Sequence, residues 1–384
     1  MGRQKIAIVT PGSFVIPSGR SSSVERVIEK IAPLAGAHME VCIYGLEGQG
    51  LPLNGMIGGI PCYRLPGGRL YADSVLMHLR RWLPDRIDVH NRPQLAYRLK
   101  KGLPRTKVFL TLHSTTFISS GLHSGIGMQQ MLQGLDGFIV NSEYLRSLIV
   151  QRFPNLKPKV FVNHLGVSLE DFIPRWTTIG EGLRSARLSD LGWSKRKIVL
   201  YVGRLLPAKG VHHLIEIWPT VMRQERNALL LIVGSAYYGG DRENGYVRRL
   251  KAKAELLGDH VVFLPFVPYS QIAAWYNLAD IVVVPSSGEE AFGLVNVEAM
   301  ASAVPIIASD NGGIPEVVKH NETGFLVPEA SLKQGFTNYI IRLLGNEDER
   351  TRMGRAGREL VRSRFRWQYT ANRWQELMTR KIEP

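Results

Sequence analysis

Residues 280–309 read DIVVVPSSGEEAFGLVNVEAMASAVPIIAS: two short apolar runs rich in valine and isoleucine, either side of a polar loop and a stretch of helical length. Runs that are apolar throughout, rather than alternating, are the pattern of parallel strands buried on both faces. The same pattern recurs upstream in KIVLYVG (197–203), ALLLIVG (228–234) and HVVFLPF (260–266), with helical stretches such as VHHLIEIWPTVMRQ and YVRRLKAKAELLG between them. Regular strand–helix alternation predicts a parallel α/β domain. The N-terminal half opens likewise. KIAIVT is followed by the loop PGSFVIPSGRSSS and by VERVIEKIAPLA, whose apolar residues fall at helical spacing. Strand, glycine-containing loop and helix begin a Rossmann-like unit, and MEVCIYG, VFLTLH and GFIVNS continue it.

The expected fold is therefore α/β, with two Rossmann-like parallel-sheet domains at 1–170 and 190–365. Between about 166 and 196 the pattern weakens, with Pro174, charges and no clear period, and this stretch is read as the interdomain linker. The chain closes with FRWQYTANRWQELMTRK, an amphipathic helix whose Trp367 and Trp374 are read as core residues.

Composition narrows the functional class. A chain of 384 residues is too long for one typical core and suits two domains. Cys42 and Cys62 lie in no CxxC or Cys/His cluster, so no structural zinc site is encoded, and this usage fits a reducing compartment. No apolar run is long enough to be a signal segment or to span a bilayer, so the expectation is a cytoplasmic protein. The net charge is +15, and residues 1–175 hold 21 Lys+Arg against 11 Asp+Glu, so the basic excess lies mostly in the first half. A basic face attracts phosphates, anionic lipid or nucleic acid. A recognition motif and an aromatic-interleaved basic stripe are both lacking, so a nucleic-acid-binding function is disfavoured.

In open α/β sheets ligands sit beyond the carboxyl ends of the strands. After KIVLYVG come Arg204 and Lys209 in GRLLPAKG, two cations at a strand end before a helix, which suits a bound diphosphate. After DIVVVPS come Glu290 and Glu298, eight residues apart, with Phe292, Gly293 and Leu294 between them. A helix starting near Gly293 offers unpaired N–H groups to an anion. Carboxylates about 12 Å apart, if the segment is wholly helical, can straddle a diphosphate, one on a sugar and one on a ribose. Glu298 lies among apolar neighbours, where an idle charge is costly. His113 ends the VFLTLH strand and His90 ends the IDVH strand, both at positions that face a ligand in such a sheet. His212 and His213 are read as packing or solvent residues. An NAD-dependent enzyme would share the fold, but PGSFVIPSG lacks the GxGxxG spacing.

GRLLPAKG, EEAFGLVNVEAMASAVPIIAS, GGIPEVV and ETGFLV, in this order, resemble the retaining GT-B glycosyltransferases of family 4. GSFVIPSG, IDVHN, TLHS and IVNSE extend the resemblance over nearly the whole chain; within the family it is similar to the spore coat protein SA-type glycosyltransferases. The resemblance implies two Rossmann-like domains facing across a cleft, the first binding the acceptor and the second the nucleotide sugar. The last helix, 366–384, would pack back on the first domain. Arg204 and Lys209 would hold the diphosphate, Glu290 the transferred sugar and Glu298 the ribose. Phe292, Gly293 and Leu294 would give backbone contacts, Gly234 and Val267 would lie by the nucleotide, Gly19 would approach the phosphates, and His113 would contact the sugar near the reacting carbon. The sequence departs from the family at SGRSS, where Gly19 stands without a second glycine and Arg20 could compensate, and at NHLGV.

The implied activity is retaining transfer of a hexose-type sugar from a nucleotide sugar, with a UDP-sugar favoured, to a hydroxyl acceptor. The acceptor would be a glycan, a lipid-linked molecule or a small molecule, in cell-surface, spore-coat or polysaccharide synthesis. No DxD triad is present, two cations can replace a divalent metal, and no cofactor is expected. The basic first half would suit a peripheral membrane contact. A glycosyl phosphorylase or a sugar-nucleotide epimerase on the same fold is the alternative.

Overall fold

A computed structural model describes residues 3–17, 19, 23–36, 38–117, 125–240 and 242–380. It divides into two compact units, Met1–Leu165 with Trp367–Pro384, and Gly166–Arg366.

The first unit is built on strands β1 (Lys5–Val9), β2 (Glu40–Leu46), β3 (Asn54–Ile57), β4 (Ile60–Leu65), β5 (Arg86–His90), β6 (Lys107–Leu112), β7 (Gly137–Val140) and β8 (Val160–Val162). Their order is β3-β4-β2-β1-β5-β6-β7-β8. All neighbours are parallel except β3 and β4, which form a hairpin about Gly58 and Gly59. The sequence reading passed over that hairpin, although a Gly-Gly pair between two short strands is a hairpin signal. Chain order reverses between β1 and β5, the switch point where ligands bind in open sheets. The helix Trp367–Thr379 packs on the helix Ser23–Ala35. Trp374 is fully buried there and donates from Nε1 to Asp88 Oδ2 at 2.6 Å, while Asn163 Nδ2 donates to the Thr370 carbonyl at 3.0 Å.

The second unit carries β9 (Lys197–Val202), β10 (Ala228–Val233), β11 (Val261–Leu264), β12 (Ile281–Val284), β13 (Ile306–Ser309) and β14 (Gly324–Val327), all parallel, in the order β11-β10-β9-β12-β13-β14. This is the Rossmann order, with its switch point between β9 and β12. Its core gathers Val199, Trp218, Ile232, Val283 and Phe336, all buried. Part of the stretch read as a linker is instead the helix Thr178–Asp190, capped by the Thr177 hydroxyl, which accepts from Gly180 N. Its sequence, TIGEGLRSARLSD, buries only Gly180 and Leu188, so it shows almost no apolar stripe. Charge secures it instead: buried Asp280, at the foot of β12, receives Arg184 and Arg175 at 2.9 Å each and Ile198 N at 2.7 Å. Among the described residues no helix is long and apolar enough to cross a membrane.

Candidate functional site

At the second unit's switch point, the loop leaving β9 is held in shape from several sides. Gly203 N donates to Val233 O at 3.0 Å and Leu205 N to Ser235 O at 2.9 Å. Tyr201, its hydroxyl pushed up by burial, donates to the Arg204 carbonyl at 2.8 Å. Ser287 N and Gly288 N, from the loop after β12, both donate to Ala208 O at 3.0 Å. Gly210 sits at φ +72, and a Cβ there would meet the Pro285 carbonyl at 1.8 Å, so only glycine lets these two loops close on each other. Gly234, directly after β10, donates from its N–H to Leu264 O at 3.2 Å, and Val267 lies partly buried in the loop after β11.

This framework places Arg204 against the ring of Tyr238, 4.7 Å from its centroid, and brings Lys209 Nζ onto the Glu290 carboxylate. Lys209 and Glu290 are each partly exposed. Glu290 lies before the helix rather than on it, so the 12 Å spacing expected for a wholly helical Glu290–Glu298 segment does not apply. Its carbonyl accepts from Gly313 N at 2.8 Å, and a Cβ at Gly312 would meet that carbonyl at 2.1 Å. The GGIPEVV turn therefore packs directly on the backbone of Glu290. Gly293 caps the helix Leu294–Ala301 with φ +80, and Phe292 is buried edge-on to Phe365. The opening N–H groups of this helix lack intrahelical partners by geometry. Glu298, one turn in, is buried and accepts from Tyr276 Oη at 2.8 Å. The sequence reading missed Asn296, which is fully buried with neither amide atom hydrogen-bonded in the described residues.

In the first unit the switch point holds His90 and His113. His90 Nδ1 and His113 Nε2 are 3.0 Å apart, and His90 Nε2 lies 3.4 Å from Asp88 Oδ2. Thr111 Oγ1 donates to Asp88 Oδ1 at 2.6 Å. Burial alone would raise the Asp88 carboxyl, but the His90 ring and the hydrogen bonds from Thr111 and Trp374 hold it below the usual carboxylate range. Burial, and then His90, pushes the His113 imidazole down to about 3 against the pull of Asp88, so His113 is neutral near pH 7. A cavity of about 10 Å³ adjoins the pair, with Asn141 and Asn163 in its wall. Asn91 Oδ1 accepts from His113 N at 2.9 Å, and Arg92 ties this loop to the one after β1 through the Pro11 carbonyl at 3.1 Å. Gly19 is exposed, and nothing among the described residues lies within 4 Å of its Cβ position, so they impose no demand for glycine there. Arg20 lies outside the described residues. His212 bonds Tyr246 Oη at 3.0 Å, a packing role as read from the sequence.

Residues 188–360 match the family model "Glycosyl transferases group 1". Over 367 residues, 96% of this chain and 97% of the relative, the sequence is 30% identical to spore coat protein SA of Bacillus subtilis. The putative glycosyltransferase YtcC of the same species is 29% identical over 98% of this chain and 93% of its own. Anabaena Alr3699/HepE, solved in complex with UDP-glucose, superposes with a TM-score of 0.78 at 20% identity, covering 98% of this chain and 99% of that one. That likeness shows the fold, which is GT-B. With these relatives spanning both units, the chain belongs to the group 1 glycosyltransferases and is itself a glycosyltransferase.

Proposed function

We propose that the protein transfers a hexose-type sugar from a UDP-sugar to a hydroxyl acceptor with retention of anomeric configuration, and that it needs no metal. The observation that carries the reading is the Lys209–Glu290 pair, where the loops after β9 and β12 close on each other, with Arg204 on the same loop after β9. As the donor's glycosidic bond breaks, negative charge builds on the departing nucleoside diphosphate. Two cations and a helix N-terminus stabilise that charge, Lys209 by sharing or leaving its Glu290 partner. Glu290 accepts hydrogen bonds from hydroxyls of the transferred sugar, and Gly293 and Leu294 donate backbone N–H groups to sugar and phosphate. Glu298, steadied by Tyr276, takes the ribose, with Gly234 and Val267 beside the nucleotide. Gly19 approaches the phosphates and His113 the sugar. The preference for UDP is supported by the UDP-glucose complex of HepE. A role in spore-coat or other cell-surface glycans is supported by the similarity to spore coat protein SA.

A panel of UDP-, GDP- and ADP-sugars, incubated with the protein and a simple alcohol as acceptor in excess EDTA and followed by proton NMR, tests this. The proposal expects release of UDP and a sugar product with the donor's own anomeric configuration. Inversion, or an absolute need for added metal, would refute the mechanism. Sugar 1-phosphate formed only when orthophosphate is added would make the protein a phosphorylase, and an epimerised nucleotide sugar would make it an epimerase.

A further inference from the structure

We propose that His90 is a positioning residue for His113: it fixes which ring nitrogen of His113 carries the proton, and Asp88 fixes His90 in turn. The inference rests on the reading of His113 as the imidazole that meets the sugar.

The three side chains form a line. Asp88 is fully buried and cannot turn, because Thr111 holds Oδ1 and Trp374 holds Oδ2, each at 2.6 Å. His90, also fully buried, has Nε2 at 3.4 Å from Asp88 Oδ2 and Nδ1 at 3.0 Å from His113 Nε2. The two rings lie 18° from parallel. Beside a buried carboxylate a ring nitrogen carries hydrogen, since two lone pairs facing each other without water repel. With one proton on its ring, His90 therefore carries it on Nε2 and accepts at Nδ1. The bond between the rings then has one direction, with His113 Nε2–H donating to His90 Nδ1. His113 is left with a lone pair on Nδ1, which has no partner among the described residues. A nitrogen so prepared accepts the O–H of a sugar hydroxyl, whereas the opposite tautomer could only donate to that hydroxyl's oxygen. The low pKa of His113 keeps the ring neutral near pH 7, so the lone pair is present there. The C-terminal helix enters this chain through Trp374, which explains why a residue so far along the sequence reaches the floor of the histidine site.

The test starts with the wild-type protein. Its ¹⁵N-histidine spectrum should show His113 as the Nε2–H tautomer at neutral pH, and the Nδ1–H tautomer would overturn the proposal without any mutation. His90→Leu should turn His113 into a mixture of tautomers and lower kcat about 10²-fold, as for a mis-set general acid–base group, with KM for the donor little changed. His90→Asn, whose amide sits where Nδ1 was and can still accept, should restore the single tautomer and most of the rate. If His90→Leu keeps one tautomer and the wild-type rate, His90 is a packing residue only. A His113→Ala variant that transfers at the wild-type rate would remove the catalytic reading of His113 while leaving the wild-type tautomer result standing, so the two failures are told apart.

Discussion

Lys209 already carries a carboxylate, that of Glu290, so a donor phosphate reaching this lysine must share or displace that partner. Replacing Glu290 by Gln separates the two roles given to the pair. The cationic pocket loses an opposing charge, so UDP alone should bind as tightly or a few-fold tighter. Transfer should fall by about 10²-fold, because the sugar loses its strongest acceptor. Binding of UDP that collapses together with the rate would mean that Glu290 serves the phosphates or the fold rather than the sugar. Asn296 invites a second substitution. A buried amide with no partner costs about 1–3 kcal/mol, and Asn296→Leu should return part of it, raising Tm by about 2–4 °C. If the amide is held in reserve for the donor, the same change weakens UDP-sugar binding. A stabilised variant with unchanged affinity would make Asn296 a structural oddity. Both Glu residues and the Arg/Lys pair were legible in the sequence, because charges among apolar runs at strand ends stand out. Asn296 was not, because an asparagine in LVNVEAMA looks ordinary until its burial and lack of partners are known.

The elements that the sequence announced are those held by apolar burial: the strands around KIVLYVG, ALLLIVG and DIVVVPS appear where their valines and isoleucines put them. The helix Thr178–Asp190 was not legible, since charge and capping hold it rather than an apolar face. Asp280 is the centre of that attachment, buried and kept below the usual carboxylate range because Arg175 and Arg184, with Ile198 N, outweigh the cost of its burial. Asp280→Ala leaves Arg175, Arg184 and Arg350 without their shared counter-ion and should cost about 3–5 kcal/mol. Urea unfolding of the second unit should show an earlier transition, and rapid hydrogen exchange through residues 178–190. An unchanged transition would mean that the helix is held by its few apolar contacts after all. The hairpin of β3 and β4 escaped notice for another reason: MIGGI offers too few residues for either period to show, and only the Gly-Gly turn marks it.

Two sheets in one chain, each with its order reversing beside its first strand, give two switch points, and each of them collects candidate site residues. The chain leaves the first unit at Leu165 and comes back to it at Trp367, so the last helix is part of the first unit's core rather than a tail. Truncation after Arg366 should strip Asp88 of its Trp374 partner and uncover the helix Ser23–Ala35. Hydrogen exchange should then find the first unit unprotected while the second keeps its protected core, and equal protection in both would show that the helix is dispensable. The central claim concerns the second unit: a nucleoside diphosphate is held there by Arg204 and Lys209 without metal. Calorimetric titration with UDP, GDP, ADP and NAD in EDTA, on the wild type and on the Arg204→Ala/Lys209→Ala double variant, measures it directly. The account predicts that UDP binds and that the double variant weakens it about 10²-fold or more, as expected for the loss of two charge-assisted contacts. No binding of any diphosphate, binding of NAD alone, or undiminished binding by the double variant would contradict it.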